Sequence, residues 1–192
     1  TPETRPYSPS ASVKLALGYL GVDCQITHDP DVIRGAERVI FPGDGAAAAA
    51  MEHLNELRLL APLKDAIAKG TPTLGICLGT QVICDWSDED GGVPCMGLLP
   101  GKVKKFIAPD PLCKIPQMGW NTMKFARKHP LFEGIEDDSE FYFIHSYYPV
   151  PESRDLVMGE TQYADATFAS AVGKGNLFAT QFHPERSGRV GM

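Results

Sequence analysis

Thr73-Leu74-Gly75-Ile76-Cys77-Leu78-Gly79-Thr80-Gln81 holds the turn around which the rest of the chain can be ordered. Residues 73–76 are short and apolar, as a buried strand is, and a helix is expected after Cys77. A Gly-x-nucleophile-x-Gly sequence between strand and helix is the pattern of a nucleophile elbow. The turn is too sharp for side chains at its flanks, and it projects the sulfur away from the backbone. The helix that follows points its N–H groups at that sulfur, which favours a thiolate. Two glycines carry little weight alone, because a structural cysteine in a tight turn has the same pattern.

Towards the N-terminus, helix and strand signals alternate. Residues 62–69 read as a helix with Pro62 in its first turn. Residues 46–50 are all alanine, the best helix former, and the helix continues through Met51, Leu54 and Leu57. Residues 38–41 read as a strand stopped by Pro42-Gly43, and residues 22–27 as another short strand. Residues 10–20 read as a helix with Val13, Ala16, Leu17 and Leu20 on one face. This alternation predicts a parallel sheet with helices on both faces. Towards the C-terminus, residues 102–106, 140–144, 156–158, 168–172 and 177–182 are strand-like and few helical patterns remain. The expected fold is therefore α/β: a mostly parallel doubly wound sheet flanked by helices, with a smaller antiparallel extension. Residues 1–192 read as a single domain, with the first strand and last helix of such a fold missing.

Composition narrows the function classes. With 192 residues and 43% hydrophobic content, the chain can bury a substantial core. The formal net charge is −6 and no basic block stands out, so no nucleic-acid surface is expected. No stretch approaches the ~20 apolar residues that span a bilayer. The polar, proline-rich residues 1–10 are unlike a secretory signal. Five cysteines lie scattered with no Cys-x-x-Cys pair, which argues against structural zinc and suits a reducing cytoplasm. One can serve as a nucleophile and the others as buried packing thiols; no metal or cofactor is expected.

A second signal is Gln181-Phe182-His183-Pro184-Glu185 at the end of a predicted strand. In an extended chain His183 and Glu185 point the same way. A histidine can take a thiol proton and return it to a leaving amine, and a carboxylate behind it fixes the tautomer. Alone, His183 would be read as an ordinary surface histidine. The third signal is Phe41-Pro42-Gly43-Asp44-Gly45, a strand end followed by a glycine-rich turn. Backbone N–H groups of Gly43 and Asp44 can join that of Leu78 around an oxyanion. The carboxyl ends of parallel strands gather at one sheet edge, so the three pieces together describe an acyl-transfer site.

Gly-Ile-Cys-Leu-Gly-Thr-Gln with a downstream Gln-Phe-His-Pro-Glu resembles the class I glutamine amidotransferases. That resemblance implies hydrolysis of glutamine through a thioester on Cys77, with His183 as general base and acid and Glu185 orienting it. It also implies that Gly45, Gln81, Ser146 and Tyr147 hold the substrate. The stretches 97–106, 118–121, 141–147 and 186–188 are similar to the branch of the family that serves histidine biosynthesis. This implies a (β/α)8-barrel cyclase subunit as partner, met by Trp120, Tyr142 and Arg186. From the residues alone, Trp120 fits a partly buried core position equally well; the resemblance favours the interface.

The chain departs from the family pattern in places. Tyr7-Ser8-Pro9-Ser10 stands where the family's glycine-asparagine turn ends, and Asp44 stands at a position usually apolar. Asp44 is expected to point away from the site and cap the alanine helix. Gln117, Thr80 and Arg186 replace a usual histidine, methionine and lysine. Three alternatives remain on the sequence: another amidotransferase subunit, a free-standing cysteine hydrolase, and a non-catalytic binding homologue.

Overall fold

The chain's computed structural model describes residues 8–192; Tyr7 and the rest of the leader lie outside the described residues. Helix α1 (Pro9–Tyr19) is opened by Ser8, whose side chain accepts from the Ala11 N–H. Val13 is its one buried residue; Leu17 packs beside it, while Leu20, expected on the same face, is exposed. A short α2 (Pro30–Gly35) leads to β1 (Val39–Gly43), α3 (Ala47–Glu56) and α4 (Leu60–Ala68). Then come β2 (Thr73–Cys77) and the short α5 (Leu78–Val82). Residues 22–27, expected as a strand, form none. A strand persists only where a neighbour takes up its backbone groups, and among the described residues this segment pairs with no strand; Val22 and Ile26 are exposed.

Past α5 the chain is almost all strand: β3 (Trp86–Ser87), β4 (Val93–Pro94), β5 (Gly101–Lys105), β6 (Gln117–Phe125), β7 (Ser139–His145) and β8 (Tyr147–Pro151). It continues with β9 (Val157–Tyr163), β10 (Ala166–Lys174) and β11 (Leu177–Thr180), and a helical turn, α6 (Gly188–Gly191), closes it. Seven strands form a mixed sheet in the order β1-β2-β11-β10-β9-β6-β7. The α/β class and the mixed sheet are as expected, but the proportions differ. Among the described residues, β1, β2 and β11 run parallel, and the larger remainder is antiparallel. A second sheet, β4-β3-β5-β8, lies beside it.

The parallel register positions the site. Gly43 pairs with Cys77, and Thr180 with Ile76, so three strand ends meet at one edge. Two apolar clusters hold that edge rigid. Leu63, Leu78, Val82, Ile83, Leu99 and Val103 belong to one, which packs α3, α4 and α5 against the sheets. Phe106, Phe141, Phe143, Phe168 and Phe182 belong to the other, beneath the antiparallel strands. Each such phenylalanine, fully buried, contributes about 1.5–3 kcal/mol. Phe141 and Phe182 stack at 4.1 Å, fixing the residue just before His183.

Candidate active site

Cys77 closes β2 and precedes α5 with φ 54°, a left-handed conformation uncommon outside glycine. The glycines on either side make that turn possible. A Cβ on Gly75 would stand 2.9 Å from the Ala179 Cβ, and one on Gly79 only 2.1 Å from the Phe41 carbonyl oxygen. The elbow read from the sequence is therefore enforced by close backbone approach.

The sulfur faces the histidine. His183 and Cys77 line the same cavity, and the sulfur acts on the charge of the ring. His183 Nδ1 lies 2.7 Å from Glu185 Oε1, which leaves Nε2 to serve the sulfur. The His183 and Glu185 side chains are 5% and 3% exposed, which makes their pairing strong. Burial alone lowers the His183 pKa. Hydrogen bonds and charge from Cys77 and Glu185 outweigh it and hold the imidazolium up to about 9. The ring thus keeps its proton at neutral pH and sets a positive charge beside the sulfur. Glu185 Oε2 is buried with no hydrogen-bond partner among the described residues. Burial pushes the Cys84 thiol up to about 12, which leaves it inert. Only Cys77 and Cys84 are buried; Cys24, Cys95 and Cys113, expected as buried packing thiols, are half-exposed.

A cavity of about 410 Å³ opens over Cys77, large enough for an amino acid. It is lined by Leu78, Gln81, Ser146, Tyr147 and His183, all expected from the sequence, and by Asp44 and Gly45. Gly43 stands just behind, where a Cβ would meet the Leu78 Cβ at 3.2 Å. The Gly43–Gly45 turn therefore lies against the first residue of α5, where N–H groups from both can converge. Arg186, expected at the partner surface, also lines the cavity. Trp120 and Tyr142 are outside it. They sit opposite each other on β6 and β7 with rings 6.0 Å apart, and Trp120 and Met118 are 55% and 63% exposed.

Asp44 does not cap the alanine helix. The N-cap is Ala46, and the N–H of Ala47 is taken instead by Glu89 Oε2 at 2.7 Å. Gly45, at φ +87°, separates Asp44 from the cap and places it too early to reach the first-turn amides. Asp44 stays exposed at the cavity wall.

Three further residues were not singled out by sequence reasoning. Glu89 lines the cavity from a loop of acids that reads as solvated surface. Gln181 Nε2 lies 3.8 Å from the Cys77 sulfur, and Gln81 Nε2 donates to Gln181 Oε1 at 3.1 Å and to the Tyr147 carbonyl at 2.9 Å. His145 Nδ1 lies 2.7 Å from that same carbonyl, so Nδ1 must be the protonated nitrogen. Its Nε2 lies 3.1 Å from Gln117 Oε1, and a neutral ring accepts there only once that amide is turned to present its NH2 group. Burial lowers the His145 pKa to about 4, so this ring is neutral where His183 is charged. Among the described residues, no cluster of three His, Cys, Asp or Glu side chains is arranged to hold a metal ion.

Known proteins share this architecture. The family described as glutamine amidotransferase class-I matches residues 12–191. A Moorella thermoacetica protein named imidazole glycerol phosphate synthase subunit HisH is 45% identical over 181 residues, covering 94% of this chain and 84% of its own length. The Thermococcus kodakarensis protein of the same name is 45% identical over 186 residues, covering 95% and 89%. Among solved structures, a glutamine amidotransferase superposes with a TM-score of 0.67 at 19% identity, covering 91% of this chain and 84% of that one. The glutaminase domain of Trypanosoma brucei CTPS with bound acivicin gives 0.63 at 14% identity, covering 94% and 80%.

Proposed function

The chain belongs to the class I glutamine amidotransferases, and on that footing we propose that it is the glutaminase subunit of an imidazole glycerol phosphate synthase. The observation that carries the chemistry is the buried His183–Glu185 pair sharing one cavity with a cysteine on a strained elbow.

Glutamine enters the cavity with its side-chain amide beside Cys77. The sulfur, paired with the His183 imidazolium, attacks the amide carbon. The oxyanion is held by backbone N–H groups of Leu78 and the Gly43–Gly45 turn. His183 gives its proton to the departing nitrogen, ammonia leaves, and a γ-glutamyl thioester remains on Cys77. Water, deprotonated by His183, adds to the thioester; glutamate leaves, and the Cys77 sulfur is again paired with the His183 imidazolium. Glu185 keeps the imidazole in register throughout. The Glu89 and Asp44 carboxylates suit the substrate's α-ammonium, while Arg186 and the backbone of Ser146 and Tyr147 suit its α-carboxylate.

The partner is a cyclase subunit built as a (β/α)8 barrel, seated on the face of exposed Met118 and Trp120 and half-buried Tyr142. It receives the ammonia, and with its nucleotide ligand it favours the active arrangement of the oxyanion turn. Five free cysteines suit work in the cytoplasm. Glutamine-dependent ammonia release from the wild type and from Cys77→Ala tests the chemistry. Release is expected to vanish in the variant; turnover surviving there, free of contaminating glutaminase, would remove Cys77 from its role.

A further inference from the structure

Ser187 is 2% exposed and does not line the cavity, yet its hydroxyl joins two functional regions. Ser187 Oγ accepts from the Tyr142 N–H at 3.0 Å and donates to the His183 carbonyl at 2.6 Å. The His183 N–H donates to the Tyr142 carbonyl at 2.9 Å. Both backbone polar groups of Tyr142 are thus committed to the turn that carries the general base. That turn lies beyond the end of β11 at Thr180, so no sheet ladder holds it. From the outer side, Trp120 presses on the same structure. Its ring meets Tyr142 edge-on, and its far end lies 4.0 Å from where a Cβ on Gly188 would stand.

We propose that Ser187 is a positioning residue for His183, and that it is the link through which a protein seated on Trp120 and Tyr142 aligns the imidazole with Cys77. Without the hydroxyl, the Tyr142 N–H loses its acceptor and the His183 carbonyl keeps only the Arg186 N–H, at 3.0 Å. The turn can then rotate and tilt the ring away from the sulfur. The inference rests on the glutaminase reading of the site.

The test compares wild type, Cys77→Ala, Ser187→Ala, Ser187→Thr and Ser187→Val, the last two isosteric with each other, alone and with the cyclase subunit. Glutaminase kcat and KM are measured, together with thermal unfolding and the rate of Cys77 alkylation by iodoacetamide against pH. Ser187→Ala is expected to lower kcat at least about tenfold with KM within about twofold. It should also shift the alkylation profile and blunt stimulation by the partner, while Ser187→Thr restores all three. Parental kcat, alkylation profile and stimulation in Ser187→Ala overturn the proposal. Should the alanine variant fail to fold, Thr and Val carry equal bulk, and a Val variant behaving as Thr does overturns it equally. Turnover in Cys77→Ala would instead defeat the glutaminase reading, and the alkylation profile reports the influence of His183 on Cys77 either way.

Discussion

Cys77 and Glu185 together hold the proton on His183 against the effect of burial. The folded His183 pKa is raised to about 9, so its proton is held through neutral pH and lost only as pH rises through that value. The alkaline limb of kcat/KM is therefore expected near pH 9. Glu185→Gln removes a raising influence and should carry the limb to lower pH; a limb that stays in place would show that Glu185 does not set the charge. Replacing His183 by Asn should cost about 10²–10⁴ in kcat. These residues were legible in the sequence because their relations are local: Gly-x-Cys-x-Gly makes the elbow, and His183 and Glu185 are two apart. Glu89, Gln181 and His145 reach the site through long-range folding, and no local pattern announces them. Asp44 was misjudged because capping depends on one dihedral, at Gly45.

At the scale of the elements, the elbow depends on how closely β1 approaches α5. A Cβ at position 79 would overlap the Phe41 carbonyl, which is backbone and cannot swing aside. Gly79→Ala is expected to lower stability by about 1–3 kcal/mol in urea unfolding and to disable the nucleophile. Parental stability and turnover would show the turn to be pliable. Glu89→Ala removes the acceptor for the Ala47 N–H and should cost about 1 kcal/mol through α3, a loss a thermal melt would read. The strands around Cys77 and His183 could be read from sequence because their apolar runs are short and bounded by glycine or proline. Strand β6 could not: its burial alternates, but hydropathy does not follow, with Gln117 buried and Met118 and Trp120 exposed, and it exists through its pairing with β7 over Gln117–Met123 and His145–Ser139. Residues 22–27 differ in the opposite way, with strand-like composition and no partner strand among the described residues.

For the molecule as a whole, two histidines pull stability in opposite directions with pH. His145 is held neutral with its pKa near 4, so its contribution is complete above the usual value of 6.5 and is lost as pH falls towards 4. His183 is raised, so its contribution is complete below 6.5 and is lost as pH rises through about 9. The thermal midpoint should fall on both sides of pH 6.5, and a His145→Gln variant should lose less on the acid side. An acid limb identical to that of the parent would count against a neutral His145. The exposed Trp120 face belongs to the same scale, because a single chain gives it no cover; Trp120→Ala should weaken cyclase binding at least about tenfold. The first experiment is glutamine-dependent ammonia release by the folded chain, alone and with the cyclase subunit and its nucleotide ligand. Slow release alone and strong stimulation by both together are expected. Absence of release under every condition, or full activity without the partner, would contradict the assignment as a synthase's glutaminase subunit.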